Sequence, residues 1–322
     1  MRAFLNLVAL AVLGPPAVIV LANLVRSDHR WPDILIQFTA PALMATVVVT
    51  VVYALLRLKW PALAGVVVAA GLLFCVWPQW FPKGPELPED APTIRVYSAN
   101  VWIGNTDVTA MRRSIEAADP DVVMLIELGA EPRAQLDTLL EGYPHRTETV
   151  VDPSRLERAV IAARFPLEEF GRRADGVHAM MARGQSPIGP INFVVAHLTR
   201  PWPYEYQWGQ LTQVQALTAR VKPLNEPVVI AGDFNSVTTG RVGRMIQADM
   251  ELHPAPGWPG TWPSQVPSFA GITIDQVYLS RSLAVRSRRL GPPNGSDHRP
   301  VITEIARLTA AGALAPPSRK QD

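Results

Sequence analysis

The sequence predicts an α/β domain with a mixed sheet, carried behind a three-span membrane anchor. Three observations carry that prediction. Charged residues are scarce up to residue 82 and frequent beyond it. In the charged region, short apolar runs alternate with amphipathic segments, the pattern of strands exchanging with helices. Polar residues able to hold a proton or a metal stand repeatedly at the ends of those apolar runs.

The anchor comes first in the chain. Within residues 1–82 the charged side chains are Arg2, Arg26, Arg30, Arg57, Lys59, Asp28 and Asp33. They leave three uncharged windows, 3–25, 34–56 and 60–82. Each window is about 23 residues, roughly 34 Å as a helix, against a hydrocarbon core of about 30 Å. Buried helices of a water-soluble protein keep a polar face, and these windows have none. Gly14, Pro15 and Pro16 predict a kink in the first span, which a membrane helix tolerates where neighbours satisfy the backbone. Were the first window a cleaved signal peptide, two spans would still hold the chain in the bilayer.

Arg2 shares one side with Arg57 and Lys59, which places the N-terminus inside and the C-terminal region outside. The expectation is an integral protein of a plasma membrane, of the bacterial inner-membrane kind, with an extracytoplasmic domain. Trp77, Trp80 and Phe81 read as an interfacial aromatic belt where the third span exits. The single cysteine, Cys75, lies inside that span, so no disulfide forms within the chain.

Residues 83–92 follow as a Pro-rich, semi-rigid linker, then a domain over 93–308 and a disordered tail over 309–322. From residue 83 onward there are about 25 basic and about 26 acidic side chains, so the domain is near neutral and lacks the basic footprint of a dedicated nucleic-acid binder. Strands are expected at 94–99, 122–127, 159–163, 191–197, 228–232 and 272–279, and helices at 108–118, 132–141 and 204–221. In the last helix Trp208, Leu211, Val214 and Leu217 recur about one turn apart, as a buried stripe would.

The chemistry stands at the strand ends. "VVIAGDFNS" runs from four apolar residues into Asp233 and Asn235; "IRVYSAN" ends in Asn100, "DVVMLIE" in Glu127 and "INFVVAH" in His197. "ITIDQVYLS" carries Asp275 among apolar neighbours, and "SDHRPV" presents Asp297 and His298. A lone Asp or Asn at a strand end is usually a turn former. Several such ends together require the buried carboxylates to converge on cations or on one another, because an unpartnered one costs several kcal/mol, to order of magnitude. The spacing of two between Asp233 and Asn235 predicts that both lie on one face of an extended segment.

This set resembles the endonuclease/exonuclease/phosphatase family of metal-dependent phosphoesterases, in a membrane-anchored bacterial form. The resemblance covers roughly residues 93–308 and runs in the family's order: Asn100, "IE", "ARFPL", "AHL", "GDFNS", "IDQVYLS", "SDHRPV". It implies a four-layer αββα sandwich of two packed mixed sheets, with the site at one rim. It implies Mg²⁺, with Mn²⁺ as the substitute, held by Glu127 with Asn100 and Asp297. It assigns Asp233 to the attacking water, Asn235 to a phosphate oxygen, the Asp275–His298 pair to the phosphoryl group, and His197 to the leaving oxygen. Arg164 and Arg200 are the candidate substrate contacts. The expected partners are a lipid bilayer and a phosphoester substrate, either lipid, small molecule or nucleic acid; no protein partner is inferable. A nuclease and a catalytically silent membrane receptor of the same fold are the competing readings. His253 matches no motif and is expected to be structural.

Overall fold

The computed structural model describes residues 2–85, 87–147, 158–170, 179–201, 203 and 206–308. The expected tail, 309–322, and the expected helix start at Tyr204 lie outside the described residues.

The first apolar window forms two helices, α1 (Arg2–Val12) and α2 (Gly14–Val25), which together make one apolar stretch from Ala3 to Val25. The break falls where Pro15 and Pro16 enter the first turn of α2, a position where a missing N–H costs no hydrogen bond. After α3 (Arg30–Ile36) come α4 (Thr39–Leu55) and α5 (Lys59–Trp80). Phe4, Leu7, Leu55 and Phe74 of these helices are two-thirds exposed or more, an apolar surface that suits hydrocarbon and not water.

The expected second span is not straight. Helices α3 and α4 meet at a bend of 60°. Two continuous stretches are therefore long and apolar enough to cross a membrane, and a third counts only if the bent pair is taken as one. At the bend the Thr39 hydroxyl donates to the Ile36 carbonyl, the Gln37 amide donates to the Asp33 carbonyl and reaches Ser236, and the Asp33 carboxylate accepts from the Arg241 N–H.

The rest of the chain forms β1 (Thr93–Asn100), α6 (Val108–Ala118), β2 (Val122–Ile126), α7 (Ala130–Ala134), α8 (Leu136–Leu139), β3 (His145–Arg146), β4 (Val160–Ala163), β5 (Leu167–Phe170), β6 (Ala179–Ser186), β7 (Gly189–His197), α9 (Gln207–Val221), β8 (Val228–Asp233), α10 (Arg241–Asp249), β9 (Leu252–Pro254), β10 (Asp275–Ser280), β11 (Leu283–Leu290) and β12 (Val301–Arg307). The strands build two six-stranded sheets, in the orders β11-β12-β1-β2-β4-β3 and β5-β6-β7-β8-β10-β9. Both are mixed, since β1 pairs β2 in parallel and β12 antiparallel, and β8 pairs β7 in parallel and β10 antiparallel.

The inner faces of the two sheets share one core, built on Val96, Met124, Val195, Val229, Ala231 and Val277 among others. The outer face of the first sheet buries against α6 and α8 through Met111, Ile115 and Leu139, and that of the second against α9 and α10 through Val214, Leu217 and Ile246. This is the four-layer sandwich.

Several elements differ from expectation. The strand expected at 272–279 begins at Asp275, because Ile272 makes only an isolated bridge to Trp262. The helix expected at 132–141 is two short ones, α7 and α8. Trp208 does not join the buried stripe of α9; it is exposed, and the buried face runs through Gln210, Val214, Leu217 and Val221. The edge strand β11 was not expected, because Arg286, Arg288 and Arg289 interrupt its apolar run.

Those arginines are structural. Arg286 donates to the carbonyls of Pro88, Glu89 and Ala91, Arg288 is buried and donates to Pro259, and Arg281 pairs with Glu251. Residues 88–91 are thereby fastened to the domain. Trp80 leaves the expected aromatic belt to pack on Trp258, with ring centroids 4.5 Å apart. The change at residue 82 is sharp in composition, yet anchor and domain are in direct contact.

Candidate active site

The core's own periodicity delivers the polar residues. On β8, Val229 and Ala231 point into the space between the sheets, and the next position on that face is Asp233. The register pairs Asp233 with His197 on β7 and with Asp275 on β10, so the three side chains stand in a row on one face. From the opposite sheet, Asn100 continues the stripe of Ile94 and Val96 on β1, paired with Ile126 at the end of β2. Where the apolar core stops, a polar cluster closes it.

Gly232 makes the row possible. Its φ is +144°, and a Cβ there would lie 2.0 Å from the Ala196 carbonyl oxygen. Three non-glycine residues nearby also hold left-handed backbone: Trp102 (φ 60°), Glu127 (φ 58°) and Asn235 (φ 47°). Such conformations cost of order 1–3 kcal/mol and persist where surrounding contacts enforce them. For Glu127 the turn swings the carboxylate back from the end of β2 toward β1 and β8.

The contacts are specific. Asn100 Nδ2 donates to Glu127 Oε1 at 2.8 Å and to Asp233 Oδ2 at 3.2 Å. The Ile103 N–H reaches Glu127 Oε2 at 3.2 Å. His197 Nε2 lies 3.4 Å from Glu127 Oε1 and 4.0 Å from Asp233 Oδ2. His298 Nδ1 donates to Asp275 Oδ2 at 2.9 Å, which turns Nε2 toward Asp233 Oδ2 at 3.8 Å. The Ser296 hydroxyl bonds the Asn100 carbonyl and accepts from the His298 N–H, tying the last loop to β1.

Burial pushes Asp233 up to about 6, with the Asp275 carboxylate adding to the rise and His298 opposing it. His298 is buried, which disfavours its charge, but the Asp275 and Asp233 carboxylates outweigh that and push it up to about 10. At neutral pH the imidazole is a buried cation held by two carboxylates.

Donor atoms of Glu127, His197 and Asp233 lie within 4.8 Å of one another, as do those of Asp233, Asp275 and His298. The first group fits a divalent cation: two carboxylates face each other with no Lys or Arg between them, and oxygen donors suit Mg²⁺ or Mn²⁺. The second fits a hydrogen-bonded dyad better, because the raised pKa of His298 keeps a proton on the nitrogen a metal would need.

Glu127, Asn100, Asp233, His197, Asp275 and His298 are thus brought together. Asn235 sits beside them by a different geometry from that expected. Its left-handed backbone lets its N–H bond Asp233 Oδ1 at 2.8 Å, so the pair forms a turn instead of sharing one face of an extended segment. Its amide donates to the Leu198 carbonyl at 2.9 Å, and the residue lines the cleft. Asp297 stands on the wall, its carboxylate approached by the Trp262 indole at 3.4 Å, and belongs to neither metal-capable group among the described residues. Arg164 is a correction. It follows β4 at the end where Ala163 pairs Val122, the opposite end of β2 from Glu127, and it bonds Asp119 and lies over Tyr143. Arg200 does line the cleft, over the Trp262 ring at 5.2 Å. His253 bonds the Leu283 carbonyl, a structural contact.

The cluster forms the floor of a cleft of about 620 Å³. Sequence reasoning missed much of its wall: Trp102, Trp262, and Ile34, Gln37 and Phe38 from the α3–α4 bend. One signal was available, since Asp33 and Gln37 are polar residues four apart in an otherwise apolar stretch, hence on one helix face.

The sequence matches the profile of the Endonuclease/Exonuclease/phosphatase family over residues 97–298. No curated protein matches the chain in sequence. Among solved structures, an endonuclease/exonuclease/phosphatase from Beutenbergia cavernae aligns with a TM-score of 0.53 at 20% identity, covering 68% of this chain and 72% of that one. A family protein from Bacteroides thetaiotaomicron aligns with a TM-score of 0.52 at 15% identity, over 70% and 99% of the two chains. The human Nocturnin catalytic domain with bound sulfate aligns with a TM-score of 0.51 at 17% identity, over 67% and 94%. These likenesses speak to the fold, and the profile match spans most of the chain beyond the anchor; the chain belongs to the endonuclease/exonuclease/phosphatase family.

Proposed function

We propose that this protein is a membrane-anchored, Mg²⁺-dependent phosphoester hydrolase in which Asp233 activates water for attack on phosphorus. The observation that carries the reading is the continuous contact path Glu127–Asn100–Asp233–His298–Asp275 across two sheets. Family members are typically hydrolases and generally depend on a divalent metal, and the two facing carboxylates supply a place for one.

In this reading Glu127 would hold the cation, with Asn100 fixing its carboxylate and His197 alongside. When bound, the cation offsets negative charge on the phosphoryl oxygens. Asp233, with its pKa lifted toward neutrality by burial, accepts the proton of the attacking water. His298 stays protonated through neutral pH and donates from Nε2 to a phosphoryl oxygen, while Asp275 keeps the ring oriented. His197, half-exposed at the cleft, protonates the leaving oxygen. The second N–H of Asn235 donates to a phosphate oxygen.

The test uses the full chain in detergent micelles with Mg²⁺ or Mn²⁺ and a panel of aryl phosphodiesters and phosphomonoesters, DNA, RNA and phospholipids. Cleavage that EDTA abolishes and Mg²⁺ restores supports the proposal. Full turnover by Asp233→Ala or His298→Ala on the cleaved ester would overturn the mechanism. No cleavage at all, together with no Mg²⁺ or Mn²⁺ binding, would favour a silent receptor.

A further inference from the structure

Resting on that hydrolase reading, we infer that helix α3 and the bend after it complete the active site, and that the substrate is an amphiphilic phosphoester. Its phosphate lies at the catalytic floor and its hydrocarbon chain runs along Ile34 and Phe38 toward the membrane.

The first ground is how α3 is attached. The Asp33 carboxylate is buried, accepts from the Arg241 N–H at 2.6 Å at the start of α10, and also bonds Gln207. A carboxylate there meets both an unpaired N–H and the positive end of the helix dipole. Gln37 Oε1 accepts from the Val237 N–H at 2.7 Å, and its Nε2 donates toward Ser236 Oγ at 3.4 Å. Gln37 therefore ends on the loop that follows Asp233, and Asp33 on the start of α10 and on Gln207 of α9. Buried polar groups satisfied in this way fix a contact, because separating them would strand each one. The membrane segment is bonded to the catalytic loop itself.

The second ground is what lines the cleft. Ile34 and Phe38 from the anchor face Trp262, Ile272 and Ile274 from the domain, above Asp233 and His298. Among the described residues, Arg200 is the one Lys or Arg that lines the cleft, and its guanidinium lies over Trp262. A polynucleotide would call for several cations along its backbone. A small hydrophilic ester would leave the apolar walls without a purpose. A phosphate joined to hydrocarbon matches both ends of the cleft.

The third ground is the rim. Trp31, Phe38, Trp102, Tyr206 and Phe269 are all exposed, and the short 3₁₀ turn Ser268–Ala270 that carries Phe269 lies against α4. Of these, Phe38 from the N-terminal helices and Trp102 from the domain line the cleft itself, and exposed aromatic rings of this kind favour a membrane–water boundary. A lipid ester could enter from the bilayer without leaving it. The reaction balances with water alone: the water oxygen bonds phosphorus, the P–O bond to the leaving oxygen breaks, and that oxygen takes a proton to leave as an alcohol.

The experiment compares the full chain and its Phe38→Ser and Ile34→Ser variants in mixed micelles with Mg²⁺. Phosphatidylglycerol serves as a diester and phosphatidic acid as a monoester, each against its deacylated counterpart, with bis(p-nitrophenyl) phosphate and p-nitrophenyl phosphate as apolar-tail-free references. The expected result is a higher kcat/KM for one acylated ester than for its deacylated form. In the variants, the ratio of kcat/KM for that lipid over the aryl ester falls by about tenfold or more, on the scale of losing a buried apolar side chain, and Phe38→Leu recovers most of it. Equal rates on acylated and deacylated esters, aryl esters cleaved with neither lipid touched, or a ratio unmoved in both variants would each overturn the inference and leave the hydrolase reading standing. If the wild-type chain cleaves no ester with either metal, the hydrolase reading fails and this inference fails with it.

Discussion

The anchor and the sandwich use apolar residues in opposite directions. In the sandwich, Val229, Ala231 and Val277 face inward and are shielded by a second sheet, so the polar side chains gather at the ends of the stripes. In the anchor, Leu7, Leu55 and Phe74 face outward, and polar side chains are nearly absent. Asp33 and Gln37 break the pattern of the N-terminal helices just as Asp233 breaks the core's, and the two breaks meet: Gln37 bonds the loop that follows Asp233, and Asp33 bonds the start of the next helix. A polar group in apolar surroundings marks, in both regions, the place where something must be held.

The sharpest way to test this division is to remove the sandwich's polar end. Asp233→Ala or His298→Ala should lower kcat/KM by about 10³-fold or more, in the range expected for losing a general base or an electrostatic stabiliser, while circular dichroism stays unchanged. A loss accompanied by unfolding would instead make the cluster a structural closure of the core.

The joint comes next in size. Asp33→Ala strands the Arg241 N–H and the Gln207 amide, a cost of about 1–3 kcal/mol, to be read as a lower Tm. Turnover should also fall, although Asp33 is not placed on substrate. An unchanged Tm and kcat would reduce the anchor to a tether.

A pH profile sharpens the same contrast. Asp233 must lose its proton to act as base, and burial lifts it to about 6, so activity should rise as pH increases through that value. His298 must keep its proton, and Asp275 helps lift it to about 10, so activity should fall only as pH nears that value. Asp275→Asn removes part of that lift and should move the alkaline limb to lower pH. The stability from His298 follows the same sign: its folded pKa lies above the ordinary 6.5, so the contribution is full below 6.5 and lost as pH climbs through about 10. An alkaline limb indifferent to Asp275→Asn would separate His298 from catalysis.

The smallest effect belongs to Arg164. Its partner is an exposed acid at the far end of β2, so Arg164→Ala should leave kcat/KM within about twofold, as surface pairs contribute little.

Much of the site was legible because strands translate sequence into space simply. Side chains alternate faces, so an apolar stripe that ends in Asp233, Asn100 or His197 announces a polar floor at the core's edge. The strands that went unread, such as β6 and β11, are interrupted by arginines and so lack a continuous apolar run. Asn235 was misplaced because a left-handed residue follows no alternation. Arg164 was misplaced because a motif records adjacency in the chain and is silent about which end of a strand faces the site.

By itself the sequence determined the long apolar stretches before residue 82, the α/β class, the polar strand ends and the family, since each depends on local composition, periodicity or linear motif. Only the tertiary structure decided that Glu127, Asp233 and His298 share one cluster, and that Ile34, Gln37 and Phe38 form its wall. The bonds of Gln37 to the loop after β8 join residues some two hundred positions apart in the chain, and such pairings are set by how sheets and helices pack, not by any pattern along the backbone.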